Sequence, residues 1–229
     1  RMREALNAFV IRGVSTNIPF QAALMQHPRF HSGNFNTGFI AEEYPKGFDA
    51  SMVPHDDPAL FIAAAAALHR RFEDRDAMIS GQMPGHERAV GDDYTVIWGA
   101  ERALVKVLPA EGGYDVTLDG RTLAVRTNWQ FGDVLMHGSL DGVPFIIQVA
   151  RDGLRYRLAH NGAQADLLVM SARWAELQSL MPVKLPPDLS KFLLSPMPGL
   201  LREIAVSEGQ DVKAGEKLAV IEAKKMESG

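Results

Sequence analysis

A reachable primary amine stands near the C-terminal end of this 229-residue chain. Two β-type runs, Leu200–Val206 and Leu218–Ala223, are separated by polar, glycine-containing turns. The second run leads straight into Lys224 and Lys225, which Met226 follows. A lysine at the tip of a tight turn carries its ammonium on a flexible, solvated stem, which suits modification by an enzyme better than packing. The pattern therefore predicts a modifiable lysine on a hairpin.

The residues around this hairpin resemble the biotinyl (biotin carboxyl carrier) domain of biotin-dependent carboxylases. That family has a Pro-Met-Pro-Gly entry, which stands here at residues 196–199, and an Ala-Met-Lys-Met tip whose lysine receives biotin. The resemblance implies that Lys225 carries covalent biotin and that Ala223, Lys224 and Met226 form its supporting turn. Lys224 departs from the family pattern because it replaces the first Met of the tip. Since an apolar side chain is lost from the recognition face, we expect slower carboxylation rather than a loss of biotinylation.

Composition is that of an ordinary globular protein, with 46% hydrophobic and 23% charged residues. The net charge of −4 gives no reason to expect nucleic acid or an anionic membrane as a partner. Because the chain has no cysteine, disulfides, thiol catalysis and cysteine-ligated metals are excluded. No apolar run approaches the ~18 residues that a membrane-spanning helix needs.

The longest apolar run, Ala59–Leu68, indicates a buried helix. Asp57 followed by Pro58 is a strong helix start, since Asp is a favoured N-cap and Pro is favoured at the first helical position. We expect a helix over about Pro58–Phe72. Because its first part is apolar on every side, that part must be buried all round.

Eight strand-like runs follow this helix. Several joints between them are Asp-Gly or Asn-Gly pairs, which favour tight hairpin turns. Eight sequential antiparallel strands can close into a barrel without exposed edges, and the apolar helix would fill its interior. The predicted strands are Tyr94–Trp98, Ala103–Leu108, Tyr114–Leu118, Thr122–Trp129, Val134–Leu140, Val143–Ala150, Leu154–Ala159 and Ala165–Met170.

A lone helix before such a barrel resembles the BT domain of propionyl-CoA carboxylase and related acyl-CoA carboxylases. In that family the domain lies between the carboxylase and carrier domains and holds the biotin-bearing subunit against the carboxyltransferase subunit. The segment Phe39–Phe48 also looks like propionyl-CoA carboxylase α subunits. Without that context the barrel could be a ligand-binding barrel of the lipocalin type, but a helix that fills the interior argues against a ligand cavity.

Residues 1–45 are similar to the C-terminal end of the biotin carboxylase domain. The similarity rests on a Gly-Val-x-Thr-Asn-Ile turn, a His-Pro-x-Phe turn and a final Thr-x-Phe-Ile. The helix that carries Met2, Leu6, Phe9 and Val10 on one face is expected to end at Gly13. No Gly-rich phosphate loop occurs in the sequence, so we expect the ATP site to lie before residue 1. We therefore expect the chain to be a fragment, or an incompletely traced chain, of a longer protein.

The predicted fold class is α+β, mainly β, with four parts. Residues 1–45 form a small helical piece that ends the biotin carboxylase domain. Residues 46–181 form the BT domain, an eight-stranded antiparallel barrel around a buried helix that ends with a helix over Ser171–Leu180. Residues 182–194 form a stiff, proline-rich linker. Residues 195–229 form the first half of a flattened biotinyl barrel, so that the carrier is only partly present.

The resemblance also implies a function. The subunit would dock to the carboxyltransferase β subunit in an α6β6 hetero-oligomer and carry carboxylated biotin from the ATP-dependent site to propionyl-CoA. Biotin would be attached by a biotin ligase, whereas ATP, Mg and bicarbonate would belong to the upstream domain. No residue of this chain would be catalytic, and we expect no nucleic-acid or membrane partner. The implied location is the bacterial cytoplasm or the mitochondrial matrix.

Three alternatives stay open at this stage. The same role with 3-methylcrotonyl-CoA or another acyl-CoA is one, because substrate choice lies in the β subunit. A lipoyl domain of an oxoacid dehydrogenase is a second, although Met226 after Lys225 argues against it, since lipoyl tips usually carry Asp-Lys-Ala. The third is a non-catalytic adaptor with a helix-in-barrel interaction domain and an inactive carrier.

The other candidate sites are weaker. His27 and His31 are four residues apart, but Pro28 intervenes and the local pattern is a turn, so a metal site is not expected. Adjacent carboxylates occur in loops and at a helix cap, where solvation is their ordinary state. Trp98 and Trp129 alternate with polar residues on strands, which predicts a place in the core or at a subunit interface.

Overall fold

Residues 1–55, 57–182, 192–195, 199–213 and 215–222 are described by the computed structural model. The chain divides into two units, Arg1–Met181 and Pro182–Gly229. Among the described residues, the first unit contains the helices and a closed barrel of eight strands, and the second contains a pair of strands. Within the described residues, no helix has the length and hydropathy that crossing a membrane requires.

The central helix α5, Pro58–Ala77, begins as the sequence predicts. Asp57 Oδ1 accepts a hydrogen bond from the backbone N–H of Ala59 at 3.2 Å, and Pro58 stands in the first turn. The helix ends at Ala77 rather than at Phe72, because polar side chains support its last turns. Arg70 Nε lies 2.7 Å from Asp74 Oδ1, one helical turn further on.

The barrel closes through eight antiparallel strands in sequence order, since each strand pairs with the next and the last pairs with the first. Closure leaves no unpaired edge on this sheet. The prediction of an eight-stranded antiparallel barrel is confirmed. The strands are β1 (Asp93–Trp98), β2 (Glu101–Ala110), β3 (Gly113–Leu118), β4 (Arg121–Thr127), β5 (Leu135–Leu140), β6 (Val143–Asp152), β7 (Arg155–His160) and β8 (Ala163–Ser171).

Three hairpins of the barrel share one turn geometry. Asp119-Gly120, Asp141-Gly142 and Asn161-Gly162 all have positive φ at both residues, with values of 50° to 53° at the first position and 79° to 83° at the glycine. Two-residue turns of this kind match the twist of antiparallel strands, and Asp, Asn and Gly tolerate the left-handed conformation. The hairpin signals in the sequence are therefore confirmed at these three joints.

The core lies where α5 passes through the barrel. Phe61 and the run Ala63–Ala66 are completely buried, and inward-facing valine, isoleucine and leucine side chains from the strands surround them. Small alanine side chains allow the strands to approach the helix closely while interior packing density is kept. The prediction of a helix buried on every side is confirmed, and the helix occupies the space where a lipocalin-type barrel would hold a ligand.

Four short helices precede α5: α1 (Met2–Ala8), α2 (Ile18–Gln26), α3 (Pro28–His31) and α4 (Phe39–Glu43). The first ends at Ala8, so the predicted end at Gly13 is wrong. The physical reason is a tertiary contact, because Gln148 Nε2 of β6 donates to the carbonyl oxygens of Asn7 (3.0 Å) and Phe9 (3.4 Å). These carbonyls find partners on the barrel instead of inside a longer helix.

The last helix of the first unit, α6 (Ala172–Leu180), is capped by Ser171, whose side chain accepts a hydrogen bond from Trp174 N. Ala175 is buried, whereas Trp174, Leu177 and Leu180 are exposed. The second unit contains the antiparallel strands β9 (Leu200–Ile204) and β10 (Ala219–Glu222). The strand β9 ends two residues before the predicted end at Val206, and β10 begins one residue after the predicted start at Leu218.

The two strand tryptophans have different environments. Trp129 lies beyond the end of β4 and is only 4% exposed, with Nε1 donating to Asp133 O at 2.9 Å. Trp98 is half-buried at the end of β1, where it packs edge-to-face on Phe61. Both therefore contribute to the core of the barrel, one of the two places that the sequence predicts.

Candidate functional site

The hairpin of the second unit leads directly to the predicted biotin site. Ala223, Lys224, Lys225 and Met226 themselves lie outside the described residues. The strand β10 ends at Glu222, the residue before the predicted tip, and it pairs with β9 through Ile221 opposite Leu201 and Glu222 opposite Leu200. The part of the hairpin that would position the tip is thus a paired strand, as the sequence predicts.

Gly199 is the point where the entry motif meets this strand. A Cβ atom at residue 199 would lie 2.6 Å from Ile221 Cγ2 and 2.7 Å from the carbonyl oxygen of Glu222. Real side chains do not approach so closely, so only glycine fits beside the last two residues of β10. The contact explains why glycine ends the Pro-Met-Pro-Gly motif, of which residues 196–198 lie outside the described part.

Charged and apolar side chains share the surface of this hairpin. Arg202 Nε pairs with a carboxylate oxygen of Glu222, and Lys217 Nζ lies 2.8 Å from Glu203 Oε2. The sheet also borders a groove of about 660 Å³, whose lining includes Leu201 of β9. Exposed ion pairs of this kind add little stability, so pairing of the two strands is the main constraint on this hairpin.

A second candidate region lies at the C-terminal end of α5, where Arg70 is buried. Its side chain is 8% exposed, and it is the only charged residue in the core of the described chain. Nη1 donates to Asp92 Oδ1 at 2.7 Å and to the carbonyl oxygen of Val107 at 2.9 Å. Burial opposes the charge, but hydrogen bonds to Asp74 and Asp92 outweigh that cost and raise the pKa of Arg70 above its ordinary value.

Arg70 thereby holds the C-terminal end of one loop, residues 78–92, which we call the rim loop, through Gly91 O and Asp92 Oδ1. Within the loop, Arg88 Nη2 donates to Glu73 Oε1 of α5 at 2.6 Å. Gln82 Nε2 donates to the carbonyl oxygen of Ala77 at 2.7 Å, and Gln82 Oε1 accepts from the backbone N–H of Arg88 at 2.6 Å. The rim loop is tied to the helix at several points, so it has a defined shape.

The rim loop exposes three large apolar side chains. Met78, Ile79 and Met83 are 79%, 59% and 68% exposed. Apolar side chains held outward on a constrained loop are typical of a protein interaction site, and methionine adapts well to a partner surface. Sequence reasoning treated the Met-Pro-Gly segment of this loop only as a loop. The signal that it missed is the concentration of methionine and isoleucine in a polar, glycine-containing stretch.

A histidine pair lies at the opposite end of the barrel. His55 Nε2 and His160 Nδ1 are 2.8 Å apart, and the two rings have centroids 5.0 Å apart. Burial, with the charge of His55 as a smaller cause, lowers the pKa of His160 to about 4. This pair connects the segment before α5 to the end of β7.

The pKa of His160 predicts acid sensitivity. An unfolded histidine titrates near 6.5, so the neutral native form contributes stability above about pH 6.5 that is lost as pH falls toward 4. We expect the free energy of unfolding to fall by roughly 2–3 kcal/mol across that window, and His160→Gln to reduce this fall. Urea unfolding at several pH values measures it, with His86→Gln, at an exposed loop position, as the control. Equal pH dependence of both variants would contradict the assignment.

Among the described residues, no group of three or more His, Asp and Glu side chains could hold a metal ion. His27 Nε2 instead lies 3.3 Å from Glu43 Oε2, and its Nδ1 accepts a hydrogen bond from Arg29 N. The carboxylate of Glu43 also pairs with Arg29, which holds the pKa of Glu43 below its usual range. These side chains tie α3 to α4.

Comparison with known proteins relates both the N-terminal helical piece and the barrel to one group of enzymes. The family model for the propionyl-coenzyme A carboxylase BT domain matches residues 61–184, and the model for the biotin carboxylase C-terminal domain matches residues 1–42. The propionyl-CoA carboxylase alpha chain of Ruegeria pomeroyi is 42% identical over 228 residues, which cover 99% of this chain and 34% of the relative.

More distant relatives show the same pattern. The mitochondrial propionyl-CoA carboxylase alpha chain of Homo sapiens is 29% identical over all of this chain and 32% of its own length. The mitochondrial methylcrotonoyl-CoA carboxylase subunit alpha of Dictyostelium discoideum is 24% identical over 99% of this chain and 34% of its own length. The chain thus spans about one third of the length of these relatives. With its closed barrel around α5 in the matched region, the chain belongs to the propionyl-coenzyme A carboxylase BT domain family.

Proposed function

We propose that this chain is part of the biotin-carrying α subunit of a biotin-dependent acyl-CoA carboxylase, with propionyl-CoA as its substrate. The observation that carries the proposal is the order of segments along the chain. A biotin carboxylase C-terminal segment is followed by a BT helix-in-barrel and then by a hairpin that leads to Lys225. Residues 1–45, 46–181, 182–194 and 195–229 are the proposed domain limits.

Within this proposal, Lys225 holds the cofactor through an amide bond to its Nζ, made by a biotin ligase. Bound biotin supplies a ureido nitrogen that accepts and releases a carboxyl group. The described part of the hairpin fits this role, because Gly199 lies directly against Ile221 and Glu222 of β10. A group tethered in this way reacts at a raised effective concentration. ATP, Mg and bicarbonate belong to the biotin carboxylase domain of the whole subunit, of which residues 1–45 are proposed to be the C-terminal end.

The barrel is proposed to dock on the carboxyltransferase β subunit through the rim loop. Met78, Ile79 and Met83 supply exposed apolar area, and the contacts of Arg70 and Arg88 hold the loop in shape before binding. A pre-shaped loop loses little conformational entropy on association, which favours a stable complex. We propose a hetero-oligomer of α6β6 type, in the bacterial cytoplasm or the mitochondrial matrix.

The same role with 3-methylcrotonyl-CoA is the second candidate. It is favoured by the 24% identity to a methylcrotonoyl-CoA carboxylase subunit over almost the whole chain. The several relatives named propionyl-CoA carboxylase, with identities up to 42%, favour propionyl-CoA. A lipoyl carrier and a non-catalytic adaptor receive no support from the relatives.

Co-purification tests docking and substrate together. We expect the full-length subunit to co-purify with a carboxyltransferase chain, and the complex to consume ATP and bicarbonate with propionyl-CoA faster than with 3-methylcrotonyl-CoA. Met83→Asp is expected to weaken the complex by at least about tenfold, because a desolvated carboxylate replaces an apolar contact. The matched control is Met52→Asp, at a methionine that is 79% exposed and outside the rim loop.

Three results would contradict parts of the proposal. A faster reaction with 3-methylcrotonyl-CoA than with propionyl-CoA would mean that 3-methylcrotonyl-CoA is the substrate. Equal affinity of the two methionine variants for the carboxyltransferase chain, measured by biolayer interferometry, would remove the rim loop from the docking surface. Absence of any carboxyltransferase partner would support the adaptor alternative.

A further inference from the structure

One turn of the barrel is buried, although its two geometric equivalents are exposed. Gly162 is buried, whereas Gly120 and Gly142 stand at the same position of their own hairpins in contact with solvent. The φ values of Gly142 and Gly162 are both 83°. The difference between these turns is therefore one of surroundings and not of local geometry.

Gly162 is covered by α2 of the N-terminal piece. A Cβ atom at this position would lie 2.4 Å from the backbone nitrogen of Ala23 and 2.5 Å from the carbonyl oxygen of Pro19. At Gly142 a Cβ atom would meet nothing within 4 Å. The backbone of the β7–β8 turn and the backbone of α2 are thus in direct contact, and only glycine permits that distance.

The residue before this glycine forms a reciprocal contact with α1. Asn7 Nδ2 donates to Asn161 Oδ1, and Asn7 Oδ1 accepts from the backbone N–H of Asn161, both at 2.8 Å. Asn7 is only 7% exposed. The equivalent turns carry Asp119 and Asp141, which are exposed. The side-chain amide of Asn161 accepts without bringing a charge into a buried contact, and the amide of Asn7 both donates and accepts.

Further hydrogen bonds join the same two parts of the chain. Gln148 of β6 donates to the carbonyl oxygen of Asn7, as described above, and Arg12 Nη2 donates to Val149 O at 3.4 Å. On the other side of the turn, the backbone N–H of Gln164 donates to Ala50 O at 2.8 Å, which ties the connector that follows the N-terminal piece to the barrel. A cavity of only about 40 Å³ remains along this seam. The contact is closely packed and its polar groups are paired.

We propose that the Asn161-Gly162 turn is the joint that holds the biotin carboxylase end of the subunit against the docking barrel. The two then move as one body, so the distance between the carboxylase site and the docked partner is set by this turn. The inference rests on the proposed function. Asn7, Asn161 and Gly162 are positioning residues, because they act through the placement of domains and touch no reacting atom.

Gly162→Ala, compared with Gly142→Ala, tests the joint in the full-length subunit. Both variants introduce the same strain at a positive φ, but only Gly162→Ala forces the turn away from α2. We expect amide hydrogen exchange in α1 and α2 to rise at least about tenfold in Gly162→Ala while the barrel strands keep the protection seen in Gly142→Ala. Equal amide hydrogen exchange of α1 and α2 in the two variants would overturn the proposal that this turn is a joint.

Two enzyme activities distinguish a loss of domain positioning from general damage to the fold. Overall carboxylation by Gly162→Ala is expected to fall about tenfold, since displaced reactive groups lose effective concentration. ATP hydrolysis driven by free biotin, which needs no domain placement, is expected to stay at the level of Gly142→Ala. A parallel fall of both activities, or raised exchange with unchanged carboxylation, would overturn the positioning role.

A second variant covers the case in which Gly162→Ala fails to fold. Asn161→Gly removes the amide contact while relaxing the positive φ, and Asp119→Gly is its control in an exposed turn. Faster exchange of α1 and α2 only in Asn161→Gly supports the joint, and equal exchange overturns it. If wild-type protein carboxylated no acyl-CoA, the proposed function would fail, whereas the exchange measurements would still decide whether the joint exists.

Discussion

Replacing Lys225 by arginine is expected to abolish biotinylation and overall carboxylation completely. Amide formation needs a nitrogen that can lose its proton and act as a nucleophile. A lysine amine can do so, but a guanidinium stays protonated and delocalised. The charge and approximate length of the side chain are kept, so we expect the substitution to change the nucleophile and not the fold of the hairpin. Intact-mass measurement and streptavidin blotting of the full-length subunit, coexpressed with a biotin ligase, check the result.

The neighbouring lysine supplies the matched control. Lys224→Arg is expected to keep the mass gain of one biotinyl group, because residue 224 is not the acceptor. Lys224→Met restores the family tip and is expected to raise the carboxylation rate without changing the extent of biotinylation. If Lys225→Arg still gained a biotinyl group, or if Lys224→Arg lost it, the acceptor would be residue 224. ATP hydrolysis with free biotin is expected to continue in both Lys225→Arg and Lys224→Arg.

Replacing Phe61 by alanine is expected to cost about 3–5 kcal/mol of folding stability. Phe61 is completely buried where α5 crosses the barrel, and its ring packs against Trp98 and His55. The neighbouring alanines cannot move into the space that the ring leaves, because the closed sheet surrounds the helix on all sides. Domains of this size are stable by only ~5–15 kcal/mol, so the loss is a large share of the total.

Urea unfolding followed by circular dichroism measures this cost. Leu104→Ala is the control, since Leu104 lies on the outer face of β2 and is 71% exposed. We expect the control to change stability by less than about 0.5 kcal/mol. Similar losses in the two variants would mean that α5 does not fill the barrel. A decrease of the unfolding slope in Phe61→Ala would indicate loss of two-state behaviour and call for calorimetry.

Local sequence patterns predicted the barrel because each of its signals acts over a few residues. Alternation of apolar and polar residues marks a strand with one buried face, and a two-residue turn with positive φ sets the register of its hairpin. Every predicted strand overlaps an observed one, and Asp57 and Pro58 begin α5 as expected. The differences lie at element ends. The strand β4, for example, ends at Thr127 instead of Trp129, whose indole packs against Phe72 of α5.

The candidate sites also differ in whether local sequence or tertiary contacts define them. The lysine tip was predicted from a local motif, and it stays a prediction because residues 223–226 lie outside the described part. The contacts of Arg70 with Asp92 and Val107 could not be predicted, since they join residues 22 and 37 positions apart. Arginine in a helix is ordinarily solvated, so the residue type by itself gives no sign of burial.

The sequence by itself determined the order of parts, the number of strands, the apolar helix and the lysine that we propose as the biotin acceptor. These features depend on periodicity, turn chemistry and short motifs, which act between near neighbours. Only the tertiary structure decided that Gly162 packs on Ala23, that Arg70 ties the rim loop, and that Gly199 lies against Ile221. Each is a close approach of segments far apart in the chain, and such distances are set by packing of the whole fold.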